Sequence, residues 1–117
     1  MKTIYKIVPE SLWAEATKIG AFNGSPADVA DGFIHFSTAA QVRETAAKHF
    51  AGQQGLLLVA IDVDRLPDRL KWEPSRGGAL FPHLYGPLPV DAAIWIEPLP
   101  IGADGQHIWP EMPDDKS

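Results

Sequence analysis

Two stretches of this chain set imidazole and hydroxyl groups inside aromatic, apolar runs. One is Asp31-Gly32-Phe33-Ile34-His35-Phe36-Ser37-Thr38. The other is Phe81-Pro82-His83-Leu84-Tyr85-Gly86-Pro87. Burying a polar group costs free energy unless it is hydrogen-bonded or put to use. Two such runs in one small chain predict a shared pocket walled by His35, Ser37, His83 and Tyr85. Side chains two apart on extended backbone share a face, so Phe33, His35 and Ser37 form one group and His83 and Tyr85 another. Imidazole moves protons near neutral pH, which makes His35 and His83 the candidate catalytic residues. Tyr85 can stack on a planar ligand and donate from its hydroxyl. The alternative for His35 is a core histidine bonded to a backbone carbonyl. The alternative for the second run is a loop packed onto a sheet by Phe81, Pro82, Tyr85 and Pro87.

Neighbouring residues could serve the same pocket. Asp31 either orients a pocket histidine, as carboxylates commonly do, or simply turns the chain before the strand. Arg76, in Arg76-Gly77-Gly78, either brings a cation onto a phosphate or carboxylate or sits in a solvated turn. Thr38 joins Ser37 as a second hydroxyl. Other chemistries lack their signatures. Ser37 has no G-x-S-x-G elbow, and neither G-x-G-x-x-G nor a P-loop is present. The histidines are His35, His49, His83 and His107, with no HxH or HxxxH pair among them, so no metal is expected.

The elements that must position these groups follow from pattern. Thr3 to Val8 alternates as a first strand. Pro9-Glu10-Ser11 opens a helix with an apolar stripe of Leu12, Ala16 and Ile19, closed by Gly20. Residues 21–30 read as a loop around the turn signal Asn23-Gly24-Ser25-Pro26. Gly32 to Phe36 is a second strand. Ser37 or Thr38 then caps a helix with Gln41 as capping-box partner, and that helix runs to about Phe50. Leu56 to Asp62 is apolar enough for a central strand covered on both faces. Leu66-Pro67 marks a turn and Leu70 to Glu73 a short strand. The prolines between Phe81 and Pro89 predict an irregular or edge segment. Ala92 to Pro98 is another strand, Gly102 to Gly105 a tight turn, and Gln106 to Trp109 a segment able to pair once more.

This order predicts one small α+β domain over residues 1–110, with two main helices and a curved mixed or antiparallel sheet. Residues 111–117 are expected to fray. A chain of 117 residues, 45% apolar and 21% charged, suits an ordinary globular fold. The net charge of −5 comes without a basic stripe, which argues against phosphate-held nucleic acid. The absence of cysteine excludes disulfides and thiol nucleophiles and fits a reducing compartment. No apolar run approaches the roughly 20 residues of a membrane span, and the start lacks the apolar core of a secretory signal. A cytoplasmic protein is the expectation.

A resemblance rests on Ile4-Tyr5-Lys6-Ile7, Trp13 with Ala16 and Gly20, the whole run from Asp31 to Thr38 with Gln41-Val42, Trp72-Glu73, and Phe81 to Leu88. On these residues the chain is identified as a member of the small bacterial family known as domain of unknown function 952. The resemblance implies a fold similar to the ADP-ribosyltransferases, including the RNA 2′-phosphotransferases. Phe36-Ser37-Thr38-Ala39 resembles their Ser-Thr-Ser type at its first two positions, and Ile34-His35-Phe36-Ser37 resembles the phosphotransferase strand. By that likeness the pocket would take NAD, ADP-ribose or a related nucleotide. Chemistry, where it occurs, would be glycosidic cleavage or transfer at the nicotinamide ribose. His35 and Ser37 would hold ribose or phosphate, Tyr85 would stack on nicotinamide, and Glu97 or Glu73 would stabilise positive charge. The chain departs from the pattern at three places. Tyr5 and Lys6 stand where the family grips NAD with Arg or His, Ala39 replaces the last Ser, and no Glu-x-Glu or Gln-x-Glu pair is present. The competing reading is a non-catalytic domain that binds a partner protein or peptide in the same groove. A hydrolase of small esters or amides acting through His35 or His83 ranks last, because no nucleophile is evident.

Overall fold

The computed structural model describes residues 2–66 and 70–112. Its elements are β1 (Thr3–Pro9), α1 (Glu10–Ile19), β2 (Ala21–Phe22), α2 (Pro26–Asp31), β3 (Ile34–His35), α3 (Ala39–His49), β4 (Leu56–Asp62), β5 (Leu70–Pro74), β6 (Leu80–Leu84), β7 (Leu88–Pro89) and β8 (Ala93–Pro98). The class is α+β. The strands form three small sheets, ordered β1-β4-β8, β3-β6-β5 and β2-β7. Every strand pairing among the described residues is antiparallel, so the sheet is not mixed. The first two sheets touch through Tyr5 and Ser37. The Tyr5 N–H donates to the Ser37 carbonyl at 2.8 Å and the Ser37 N–H returns the bond at 2.9 Å. No helix of the described residues is long and apolar enough to cross a membrane.

The run Leu56–Asp62 behaves as its composition demands. Leu56, Leu58 and Ala60 pack on one face with Tyr5, Ile7, Val42 and Ala46. Val59 and Ile61 pack on the other with Ile4, Val8, Trp13 and Phe36. Helix α3 closes the first face, and α1 with the β3-β6-β5 sheet closes the second. Thr38 is the N-cap of α3, and its N–H donates to Gln41 Oε1 at 3.0 Å. Gly20 ends α1 at φ 96°, a left-handed conformation that glycine adopts without a Cβ penalty.

Several expectations need correction. Residues 21–30 are not a loop. They hold β2 and the six-residue α2, whose Ser25-x-x-Asp28 capping box and first-turn Pro26 are a helix start hidden inside a turn signal. Of the expected α1 stripe, Ala16 is buried and Leu12 packs partly buried on the core, but Ile19 is 69% exposed, and Trp13 is the other buried side chain of the helix. The strand expected at Gly32 to Phe36 shrinks to Ile34–His35 plus the Tyr5–Ser37 bridge. The proline-bearing segment Leu80–Leu84 is the central strand of its sheet, not an edge. Pro82 is tolerated there for a local reason. Its carbonyl accepts from Phe36 N–H at 3.0 Å, so its nitrogen faces the same side, where β3 has already ended. At the C-terminus, Met112 is buried in the core around Tyr5 and Leu99. Pro67, expected in a turn, and residues 113–117 lie outside the described residues.

Leu58 is 0% exposed at the middle of β4. Leu58→Ala is expected to cost about 2–5 kcal/mol in urea denaturation, as the transfer and cavity terms add. Ile19→Ala on the exposed side of α1 is expected to stay within about 0.5 kcal/mol. Equal effects at the two positions would contradict this assignment of the core.

Candidate functional site

The two histidine runs meet. Strands β3 and β6 pair with His35 directly opposite His83, and the ring centroids lie 5.6 Å apart. Phe33 packs behind them. Its ring stacks on His83 at 4.1 Å and lies 4.7 Å from His35 and 5.3 Å from Tyr85. A cleft of about 610 Å³ opens beside this pair, with Lys6, Asp28, Asp31, His35, Ser37 and His83 among its polar walls.

Each imidazole is held by carboxylates. The Nδ1 of His35 lies 2.6 Å from Asp28 Oδ1, and its Nε2 lies 2.9 Å from Asp31 Oδ2. Both contacts are hydrogen bonds when the ring carries both protons. His83 Nδ1 lies 2.9 Å from Glu73 Oε1, and the Tyr85 hydroxyl donates to that same oxygen at 2.7 Å. Donation from Tyr85, then from His83, holds Glu73 below the usual carboxylate range, and Glu73 in turn raises Tyr85. Lys71 Nζ sits 5.0 Å from the Tyr85 ring centroid, a cation over an aromatic face.

Asp28 is the most heavily bonded group of the site and is 2% exposed. Lys6 Nζ donates to it at 3.1 and 3.0 Å, the His35 N–H at 3.1 Å and the Ser25 N–H at 2.8 Å. Burial alone would raise its pKa. The His35 hydrogen bond, the Lys6 charge and the Ser25 amide reverse that and hold the carboxyl well below the usual carboxylate range. Burial pushes the Lys6 ammonium down, with Asp28 opposing the shift.

The expected site residues fall into distinct places. Asp31 is the last residue of α2, not a turn, and it reaches His35. Ser37 is buried on the cleft wall, its Oγ 3.1 Å from Thr45 Oγ1, which itself donates to the Gln41 carbonyl at 3.2 Å. Phe33 packs on His83, Tyr85 packs on Phe33 and donates to Glu73, and neither is part of the cleft wall. Thr38 is engaged in capping α3 and does not line the cleft either. Glu97 is exposed on β8, paired with Leu58 in the other sheet, and so does not stand with the histidines. The reason is topological, since β8 adds to the β1-β4 sheet and not to β3-β6-β5. The side chain of Arg76 lies outside the described residues, although its neighbour Ser75 lines the cleft. Among the described residues no group of three or more His, Cys, Asp or Glu is arranged to hold a metal ion.

Sequence reasoning missed Asp28 altogether and took Lys6 only as a departure at the position where the resembled family grips NAD. The signals were present. Lys6 interrupts the apolar strand Ile4-Tyr5-Lys6-Ile7-Val8, and Asp28 is the third residue of a capping box. Glu73 was anticipated only as a transition-state acid, whereas here it anchors His83.

The model of the protein family of unknown function DUF952 matches residues 7–96. The chain belongs to that family. No curated protein matches this DUF952 chain. It is similar to the crystal structure of protein CC0527 from Caulobacter crescentus, with 48% identity, a TM-score of 0.87, and coverage of 92% of this chain and 94% of that one. A double-mutant crystal form of the same protein matches at 48% identity and a TM-score of 0.86, over 92% and 94% of the two chains. Its solution NMR structure matches at 50% identity and a TM-score of 0.80, over 91% of each chain. The small α+β arrangement of this DUF952 chain is therefore shared with an experimentally determined relative.

The Asp28 cluster gives a pH dependence with a definite sign. An unfolded aspartate titrates near about 3.9, and folded Asp28 stays ionised below that. In this window the unfolded chain binds more protons, so stability is complete above about pH 5 and falls as pH drops. Asp28→Asn is expected to flatten that acid limb in pH-resolved urea denaturation. Asp28→Ala is expected to cost about 3–5 kcal/mol at neutral pH, because it leaves Lys6 buried and uncompensated. An unchanged acid limb in Asp28→Asn would remove Asp28 from the explanation.

Proposed function

We propose that the cleft binds a ribose-bearing nucleotide, NAD or ADP-ribose, in a manner resembling the ADP-ribosyltransferase-like folds. The observation that supports this most is the opposition of His35 and His83 across β3 and β6, each imidazole oriented by a carboxylate at the wall of one cleft. The cleft volume of about 610 Å³ lies inside the range of small-molecule sites, about 300–1,000 Å³. Glu73 takes up Nδ1 of His83, which leaves Nε2 of the ring to hydrogen-bond a ligand group such as a ribose hydroxyl. Ser37 supplies a hydroxyl on the same wall, and Asp31 and Asp28 fix the His35 ring. The setting that goes with this reading is the bacterial cytoplasm, in keeping with the cysteine-free chain.

Binding is better supported than ribosyl transfer. Glu97 is on the other sheet, and Glu73 is committed to His83 and Tyr85. That same observation favours the second reading, a non-catalytic domain that takes a peptide or partner protein in this groove.

Amide NMR shifts recorded during separate NAD and ADP-ribose titrations test the proposal. Saturable shifts are expected over residues 33–38 and 81–86. His35→Ala and His83→Ala are each expected to weaken binding by about tenfold or more, equivalent to about 1.4 kcal/mol, with the fold intact. Absence of shifts at millimolar concentrations of both nucleotides would overturn the nucleotide reading and favour the partner-binding one.

A further inference from the structure

Lys6 has the surroundings of a reactive amine. Its side chain is only 8% exposed, yet it lines the cleft. Lys18 and Lys48, by contrast, are 72% and 50% exposed. Three conditions favour condensation of a lysine with a carbonyl compound. The ammonium must be desolvated enough to release a proton, space must exist for the electrophile, and the cationic product needs a counterion. Lys6 is buried on β1, the cleft of about 610 Å³ opens onto it, and Asp28 lies at 3.0 Å with its charge retained.

We propose that Lys6 is a Schiff-base lysine that condenses with a small aldehyde in the cleft, with Asp28 as the counterion of the iminium. The Lys6 nitrogen bonds to the carbonyl carbon, and the carbon–oxygen bond breaks. The oxygen leaves as water with two of the three ammonium protons, and the third proton stays on the iminium nitrogen. One positive charge stands beside Asp28 before and after the step. The ion pair that tethers Lys6 therefore survives the reaction and stabilises its product. The salt bridge also fixes the direction of the nitrogen, since its partner sits on α2 at the cleft wall.

This inference does not depend on nucleotide binding. Its test is reductive trapping of the full chain with glycolaldehyde and cyanoborohydride at neutral pH, followed by intact mass and peptide mapping. One hydroxyethyl group is expected, on Lys6, complete while the peptides bearing the exposed Lys18 and Lys48 remain largely unmodified. Lys6→Arg keeps the cation beside Asp28 and is expected to abolish this adduct while circular dichroism reports a folded chain. The competition among lysines of the unmodified protein decides the matter even where that variant does not fold. Modification spread over Lys18 and Lys48, with Lys6 unlabelled, would overturn the proposal. The NMR titrations of the preceding section read the nucleotide separately, so either idea can fail alone.

Discussion

A buried aspartate organises this molecule. Asp28 ties three elements together: Lys6 on β1, the start of its own helix α2 through Ser25, and His35 on β3 by ring and amide. An isolated carboxylate at this depth would shift its pKa and lose its charge. Here both oxygens are fully engaged, so the charge persists and the donors converge on it. Replacing such a cluster with apolar side chains need not cost stability, whereas removing one partner does. Its role is therefore geometric. It sets where the imidazole and the ammonium stand at the cleft.

The second organising constraint is strand register. β3 has only two ladder residues, so its alignment on β6 is fixed largely by what surrounds it. Ile34 and Leu84 pair inside the core, and that pairing brings His35 opposite His83. A slip of β3 by one residue would turn His35 away from the cleft while His83 stayed in place on β6, held by its ladder to β5. Gln41 ties the register to α3. Its Oε1 accepts from the first residue of the cap, and its Nε2 donates to the Leu80 carbonyl at the head of β6 at 2.8 Å.

Regular patterns were legible in the sequence, and compensated irregularities were not. Leu56 to Asp62 announced itself as a two-faced strand because apolar residues ran without interruption. The α3 cap followed from Thr38 and Gln41. The meeting of the two histidine runs was an inference from polarity within apolar context, and the β3–β6 pairing supplies its geometry. The 21–30 region was misread because Asn23-Gly24-Ser25-Pro26 satisfies turn rules and helix-start rules alike. Pro82 was misread because the short length of β3, which excuses its missing N–H, is a tertiary fact. Glu97 was placed by analogy of order along the chain, and order does not say which sheet a late strand joins. Asp28 escaped notice because a capping residue normally faces solvent, and here the cap and the buried cluster are one side chain.

The capping of α2 carries a kinetic consequence. This helix is bracketed by Gly24 at φ 112° and Gly32 at φ 87°, so its two ends are the natural pivots of the segment. Between them, Asp28 serves at once as capping residue, ion-pair partner and imidazole anchor, and Asp31 adds a second hold on His35. A helix held by separate weak contacts can fray one turn at a time. One whose cap and anchor share a carboxylate releases them together. Departure of α2 from the cleft wall is then a single concerted opening, and the amides of Ser25, Asp28 and His35 would exchange their hydrogens in step with one another.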